Sequence, residues 1–114
     1  MLATILHRAE TPTEAPPLVI AHGLYGSGRN WGVIARRLAD IRDVIAVDMR
    51  NHGQSPRAAS QSYPDMAADL AEVIARLGGP VDLLGHSMGG KAAMHLALTQ
   101  PELLRRLVVA DIAP

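Results

Sequence analysis

Short, continuously apolar runs alternate along this chain with longer segments of helical period, and that alternation excludes most fold classes at once. The runs are Leu18-Val19-Ile20-Ala21, Val44-Ile45-Ala46-Val47, Val81-Asp82-Leu83-Leu84 and Leu107-Val108-Val109-Ala110. They are apolar at successive positions, the pattern of strands covered on both faces, and so predict a largely parallel sheet. Leu2 to His7 reads as one further strand, and Thr11 to Pro17 as a Pro-rich loop. Between the runs, Met66, Leu70, Val73, Ile74 and Leu77 recur at helical spacing, with Ser62 and Asp65 as a capping box and Gly78 as a stop. A second helix is expected from Asn30 as N-cap through Trp31, Ile34 and Leu38, and a third from Ser87 to the break at Pro101. The fold class is α/β, a mostly parallel sheet with helices on both faces.

Composition bounds the function. The chain has 114 residues, 11 acidic against 11 basic, scattered rather than blocked, so no nucleic-acid or anionic-membrane partner is expected. It has no cysteine, which rules out a disulfide framework and thiol chemistry and fits a cytoplasmic setting. No apolar run approaches the ~20 residues that span a bilayer. A small neutral or mildly polar substrate is expected, with no metal and no cofactor.

The strands are followed by His22-Gly23, Asp48, Gly85-His86-Ser87 and Asp111. Polar residues thus collect where a parallel sheet presents its carboxyl edge, the edge at which open α/β sheets bind ligands. Gly85-His86-Ser87-Met88-Gly89 matches the G-x-S-x-G elbow, in which a serine sits on a sharp strand-to-helix turn. A chance match in a chain of ordinary composition arises in roughly 4% of cases, and the strand before and helix after lower that figure. The competing reading is a glycine-rich turn with Ser87 as a mere N-cap.

A serine hydroxyl attacks poorly unaided, so a base, a group orienting the base and donors for the oxyanion are needed. The backbone N–H groups of Met88 and of Leu24, in the glycine-rich His22-Gly23-Leu24-Tyr25-Gly26 loop, are the expected oxyanion donors. Leu24, Tyr25 and His86 are expected to touch substrate. Asp111, beyond the strand next to that of the nucleophile, is within reach as the orienting carboxylate, and reads equally well as a strand-end cap. The order serine, acid, histidine leaves no base within the chain, because His7, His22, His52, His86 and His95 all read as structural; His22 is the least implausible substitute.

Three stretches carry a specific resemblance: His22-Gly23-Leu24-Tyr25-Gly26-Ser27 with Asn30-Trp31; Val47-Asp48-Met49-Arg50-Asn51-His52-Gly53-Gln54-Ser55-Pro56; and Gly85-His86-Ser87-Met88-Gly89-Gly90-Lys91, continuing to Asp111-Ile112-Ala113-Pro114. With these the chain resembles the N-terminal half of α/β-hydrolase-fold esterases of the YbfF type. The resemblance implies Ser87 as nucleophile and Asp111 as the acid, with Asp48, Arg50 and His52 shaping the loop beside the site. It implies a helical cap and a histidine-bearing part beyond residue 114, so that residues 1–114 form the N-terminal portion of a single domain.

The expected function is hydrolysis of small acyl esters or thioesters through an acyl-enzyme, the chain alone being inactive without its histidine. Lactonase, carbon–carbon hydrolase and haloperoxidase chemistries stay open. The alternative is a non-catalytic fragment or half-domain that self-associates or meets a complementing chain through an open sheet edge.

Overall fold

The computed structural model describes residues 1–11 and 13–110. Five strands form one sheet: β1 (Thr4–His7), β2 (Leu18–Ala21), β3 (Val44–Val47), β4 (Val81–His86) and β5 (Leu104–Ala110), in the order β1-β3-β2-β4-β5. β1 runs antiparallel to β3, and the other neighbours are parallel. This is the mostly parallel α/β sheet expected from the apolar runs, with the early segment supplying the antiparallel edge.

Helices cover both faces because the strand residues alternate in direction. Val19, Ala21, Ile45, Val47 and Leu83 point to the face packed by helices α2 (Tyr63–Arg76) and α3 (Met88–Thr99), through Met66, Leu70, Ile74, Ala92, Ala93 and Leu96. Ile20 and Val44 point to the opposite face and meet Ala35 and Ala39 of helix α1 (Gly32–Leu38) and its flank, with Leu18, Trp31 and Leu84 against them. The period-2 strand pattern and the helical stripe of α2 are thus two halves of one core. Burying Met66, Leu70 and Ile74 to 1% exposure or less contributes roughly 1.5–3 kcal/mol each before the entropy of ordering them.

Local sequence explains most boundaries. The Ser62 hydroxyl accepts the N–H of Asp65 at 3.3 Å, capping α2, and Pro64 occupies the first turn, where no amide donor is needed. Gly78 takes φ +87 with open space about it, so its left-handed backbone ends the helix. Leu77 closes the helix as its C-cap and is 39% exposed, outside the core stripe.

Three boundaries differ from expectation. Asn30 is not an N-cap: it lies inside a 3-10 turn, Gly28–Trp31, where its Oδ1 accepts the N–H of Ser27 at 2.8 Å, and α1 starts only at Gly32. The last strand begins at Leu104 rather than Leu107, directly after a 3-10 turn at Pro101–Leu103, and Arg105 within it pairs with Asp82 of β4. Helix α3 starts at Met88, because Ser87 has φ 51 and ψ −112, far from helical values.

Candidate active site

Register brings the polar residues together. Ala21 lies opposite Val47 on one side and Gly85 on the other, and His86 lies opposite Ala110. The residues that follow, His22, Asp48 and Ser87, therefore emerge at one carboxyl edge. Asp111 lies outside the described residues; its neighbour Ala110 offers the carbonyl that accepts the N–H of Ser87 at 3.1 Å.

Ser87 is one of three non-glycine residues with positive φ among the described residues, beside Tyr25 and Asn51. Such a conformation costs of order 1–3 kcal/mol and persists only where surrounding contacts enforce it. Backbone hydrogen bonds supply those contacts, and the neighbouring glycines let the chain come close enough to make them. A Cβ on Gly85 would lie 2.6 Å from the Gly89 carbonyl oxygen and the Gly90 Cα, and one on Gly89 would overlap the Ala21 carbonyl. Gly89 N–H donates to the His22 carbonyl at 3.1 Å, tying the start of α3 to the end of β2. A Cβ on Gly23 would stand 2.9 Å from His86 Nδ1 and 3.3 Å from Ser87 Cβ, so this glycine lets the second loop lie against the turn.

Two clefts flank the turn. One, of about 300 Å³, is lined by His22, Gly23, Leu24, Trp31, Ile34 and His86 among others; the other, of about 360 Å³, by Leu24, Gln61, Tyr63, Ser87, Met88 and Lys91 among others. Leu24 borders both and His86 the first, its ring edge-on to Trp31 at 5.7 Å. Tyr25 differs: its side chain is 90% exposed and lines neither cleft. Its backbone N–H instead donates to His52 Nε2 at 3.0 Å. Among the described residues, neither Leu24 N–H nor Met88 N–H donates to another protein group.

Two histidines hold the loops. His22 is 1% exposed; its Nε2 accepts the N–H of Met49 at 2.9 Å, so Nδ1 carries the proton and donates to the Gly23 carbonyl at 2.7 Å. Burial is the main cause that lowers its pKa below the ordinary histidine value, with the nearby His52 adding to it; the Gly23 hydrogen bond opposes. His52 repeats the pattern, accepting from Tyr25 N–H and donating from Nδ1 to the Arg50 carbonyl at 2.9 Å. Both nitrogens of His22 are engaged within the fold, which leaves it no lone pair for a serine proton and removes it as a substitute base.

Asp48, which the resemblance placed with Arg50 and His52 in the loop beside the site, is the hub of that loop. One carboxylate oxygen accepts the N–H of Gly28 at 2.8 Å and the other that of Gln54 at 2.9 Å, while Ser55 Oγ donates to its carbonyl at 2.5 Å. Arg50 grips Asp69 of α2 through Nε and Nη2 at 2.7 and 3.0 Å. Positions 48 to 55 are thus a brace between the two loops and α2. Gln61 was not singled out, since only the folded chain brings it beside Ser87, and Lys91, one helical turn beyond Ser87 in the quoted string, was given no role.

Among the described residues no group of three His, Asp or Glu side chains is placed to hold a metal ion, and no helix is long and apolar enough to cross a membrane.

Comparison with known proteins agrees with this architecture. A profile described as alpha/beta hydrolase fold matches residues 16–114. Esterase YbfF of Escherichia coli K12 is 48% identical over 107 residues, which are 93% of this chain and 42% of that protein. The sn-1-specific diacylglycerol lipase ABHD11 of Danio rerio is 47% identical over 104 residues, 89% of this chain and 33% of that protein. A solved structure, a marine microorganism esterase, superposes with a TM-score of 0.90 at 46% identity, covering 99% of this chain and 42% of its own. The chain therefore spans less than half the length of these relatives. Its sheet order, its serine turn and its match over nearly all its length place this chain in the alpha/beta hydrolase fold family.

Proposed function

We propose that this chain is the nucleophile-bearing portion of a serine hydrolase acting on carboxylic esters or thioesters. The observation that carries the reading is the positive φ of Ser87, permitted by the close-packed glycines around it, on a residue that lines a cleft. Strain of this kind is concentrated at functional sites, and on a sharp strand-to-helix turn it is the conformation that exposes a nucleophilic serine.

In the proposed reaction Ser87 Oγ attacks the acyl carbonyl while a base takes its proton. The carbonyl oxygen becomes an oxyanion facing Leu24 and Met88 N–H. The C–O or C–S bond breaks, the alcohol or thiol leaves with the proton, and water then cleaves the acyl-enzyme to the carboxylic acid and free Ser87. The base is a histidine outside these 114 residues, oriented by Asp111, whose predecessor is already hydrogen-bonded to Ser87. Leu24 and His86 border the substrate, and Tyr25 contributes its backbone to holding the loop. The clefts suit a small acyl substrate.

The test is hydrolysis of a p-nitrophenyl acyl ester by the full-length protein and by its Ser87→Ala variant, with fluorophosphonate labelling of each. Loss of turnover by at least about 1,000-fold together with loss of labelling is expected; a variant that keeps either would overturn the assignment.

A second reading, association through the sheet edge, is favoured by β5, which pairs only with β4 among the described residues and leaves Val108 57% exposed. Native mass of the full-length protein separates the two: a monomer that labels with fluorophosphonate supports the hydrolase, an unlabelled oligomer the scaffold.

A further inference from the structure

We infer that Lys91 is a specificity residue which selects substrates carrying an anionic group on one arm of the scissile ester; the inference rests on the hydrolase reading above. Lys91 lies one helical turn beyond the nucleophile, its N–H donating to the Ser87 carbonyl at 3.0 Å, and it lines the same cleft as Ser87.

Two observations point to a ligand rather than to the fold. Among the described residues lining that cleft, Leu24, Gln61, Tyr63, Met66, Ser87, Met88 and Lys91, the Lys91 ammonium is the one formal charge. And Lys91 stands at the first turn of the twelve-residue α3, which has no acidic residue there. A cation at that end opposes the helix macrodipole instead of complementing it, so helix stability does not account for the residue.

Its one aromatic neighbour is the Tyr63 ring, 6.0 Å from Nζ to the centroid. That is the outer limit of a cation–π contact and leaves the three ammonium donors available. The positive end of α3 and the ammonium together give the cleft a field that attracts a carboxylate or phosphate, while Gln61, whose Nε2 donates to Met88 Sδ at 3.3 Å, keeps the Met88 wall in place.

The anion could ride on the acyl arm or on the leaving arm, and two substrate pairs distinguish them. The first compares p-nitrophenyl hydrogen succinate with p-nitrophenyl pentanoate; the second compares S-acetyl-3-mercaptopropionate with its methyl ester. Lys91 is exposed, and in the full-length protein Lys91→Met should lower the anionic-to-neutral ratio of kcat/KM by about tenfold in one pair, the lower end of what one charge-assisted hydrogen bond is worth. The loss should fall mainly on KM, and Lys91→Arg should restore most of it. Ratios unchanged within about twofold in both pairs, or equal losses on anionic and neutral members, overturn the role of Lys91 while leaving the hydrolase standing. Wild-type protein that cleaves none of the four substrates, or Ser87→Ala protein that cleaves them, overturns the hydrolase and Lys91 with it.

Discussion

The Nε2 of His22 accepts the backbone N–H of Met49 at 2.9 Å, a buried contact between the end of β2 and the loop after β3 that exists only while the imidazole is neutral. Protonation would place two N–H groups against each other. Because His22 is held below its ordinary pKa by burial, the unfolded chain binds the extra proton first as pH falls. Stability is therefore full above about pH 6.5 and declines below it, by at most about 1.4 kcal/mol per pH unit from this group. Thermal unfolding between pH 7.5 and 5 should show the decline, and His22→Gln should start less stable and lose less on acidification. An equally steep slope in the variant would remove His22 as the cause.

The two glycines at positions 89 and 79 make a matched pair. A Cβ on Gly89 would overlap the Ala21 carbonyl, whereas one on Gly79 meets nothing within 4 Å. Gly89→Ala should thus cost more than about 3 kcal/mol, or abolish soluble expression, and Gly79→Ala should change stability by less than about 0.5 kcal/mol. Urea unfolding of the two proteins side by side checks this, and a folded, fully stable Gly89→Ala protein would contradict the packing at the elbow.

At the opposite, amino end of β4, Asp82 receives Arg105 through Nε at 2.9 Å and Nη2 at 2.6 Å, and Arg42 at 2.5 Å. The Arg105 hydrogen bonds, supported by Arg42, outweigh burial and hold its carboxyl below the usual carboxylate range. A depressed carboxylate stabilises the fold above its unfolded pKa, and that contribution is lost as pH falls below about 3.8 through the folded value. Since both arginines are partly exposed, Asp82→Asn should cost only about 1–3 kcal/mol at neutral pH. The variant should also show a flatter stability curve between pH 4 and 2 by circular dichroism. No loss at neutral pH would mean the cluster is a surface ornament.

Much of the architecture was legible because it rests on local pattern. Apolar runs at 18, 44 and 81 became strands at those positions, and the stripe through Met66, Leu70 and Ile74 became the buried face of α2. Asn30 misled because an asparagine that reaches back to the preceding turn has the same sequence appearance as one that opens a helix. Asp82 sits inside an apolar run, and its acceptance there depends on Arg42 and Arg105, which no window of sequence connects to it. The candidate site divides in the same way. The glycines around Ser87 announce their constraint locally, while Asp48 bonding Gly28 and His22 bonding Met49 are long-range pairings that only the register of the sheet creates.

That register also sets when the site can exist. Leu18 to Ala21 pair in parallel with Asp82 to Gly85, strands separated in the chain by all of α1, β3 and α2. Closing so long a loop before any contact rewards it is the slow kind of step in folding. Until β2 and β4 meet, Gly89 has no His22 carbonyl to bind and nothing compels Ser87 into its left-handed turn. The turn at Ser87 is therefore formed late, by the completion of the sheet, and a half-folded chain carries this serine in an unconstrained backbone.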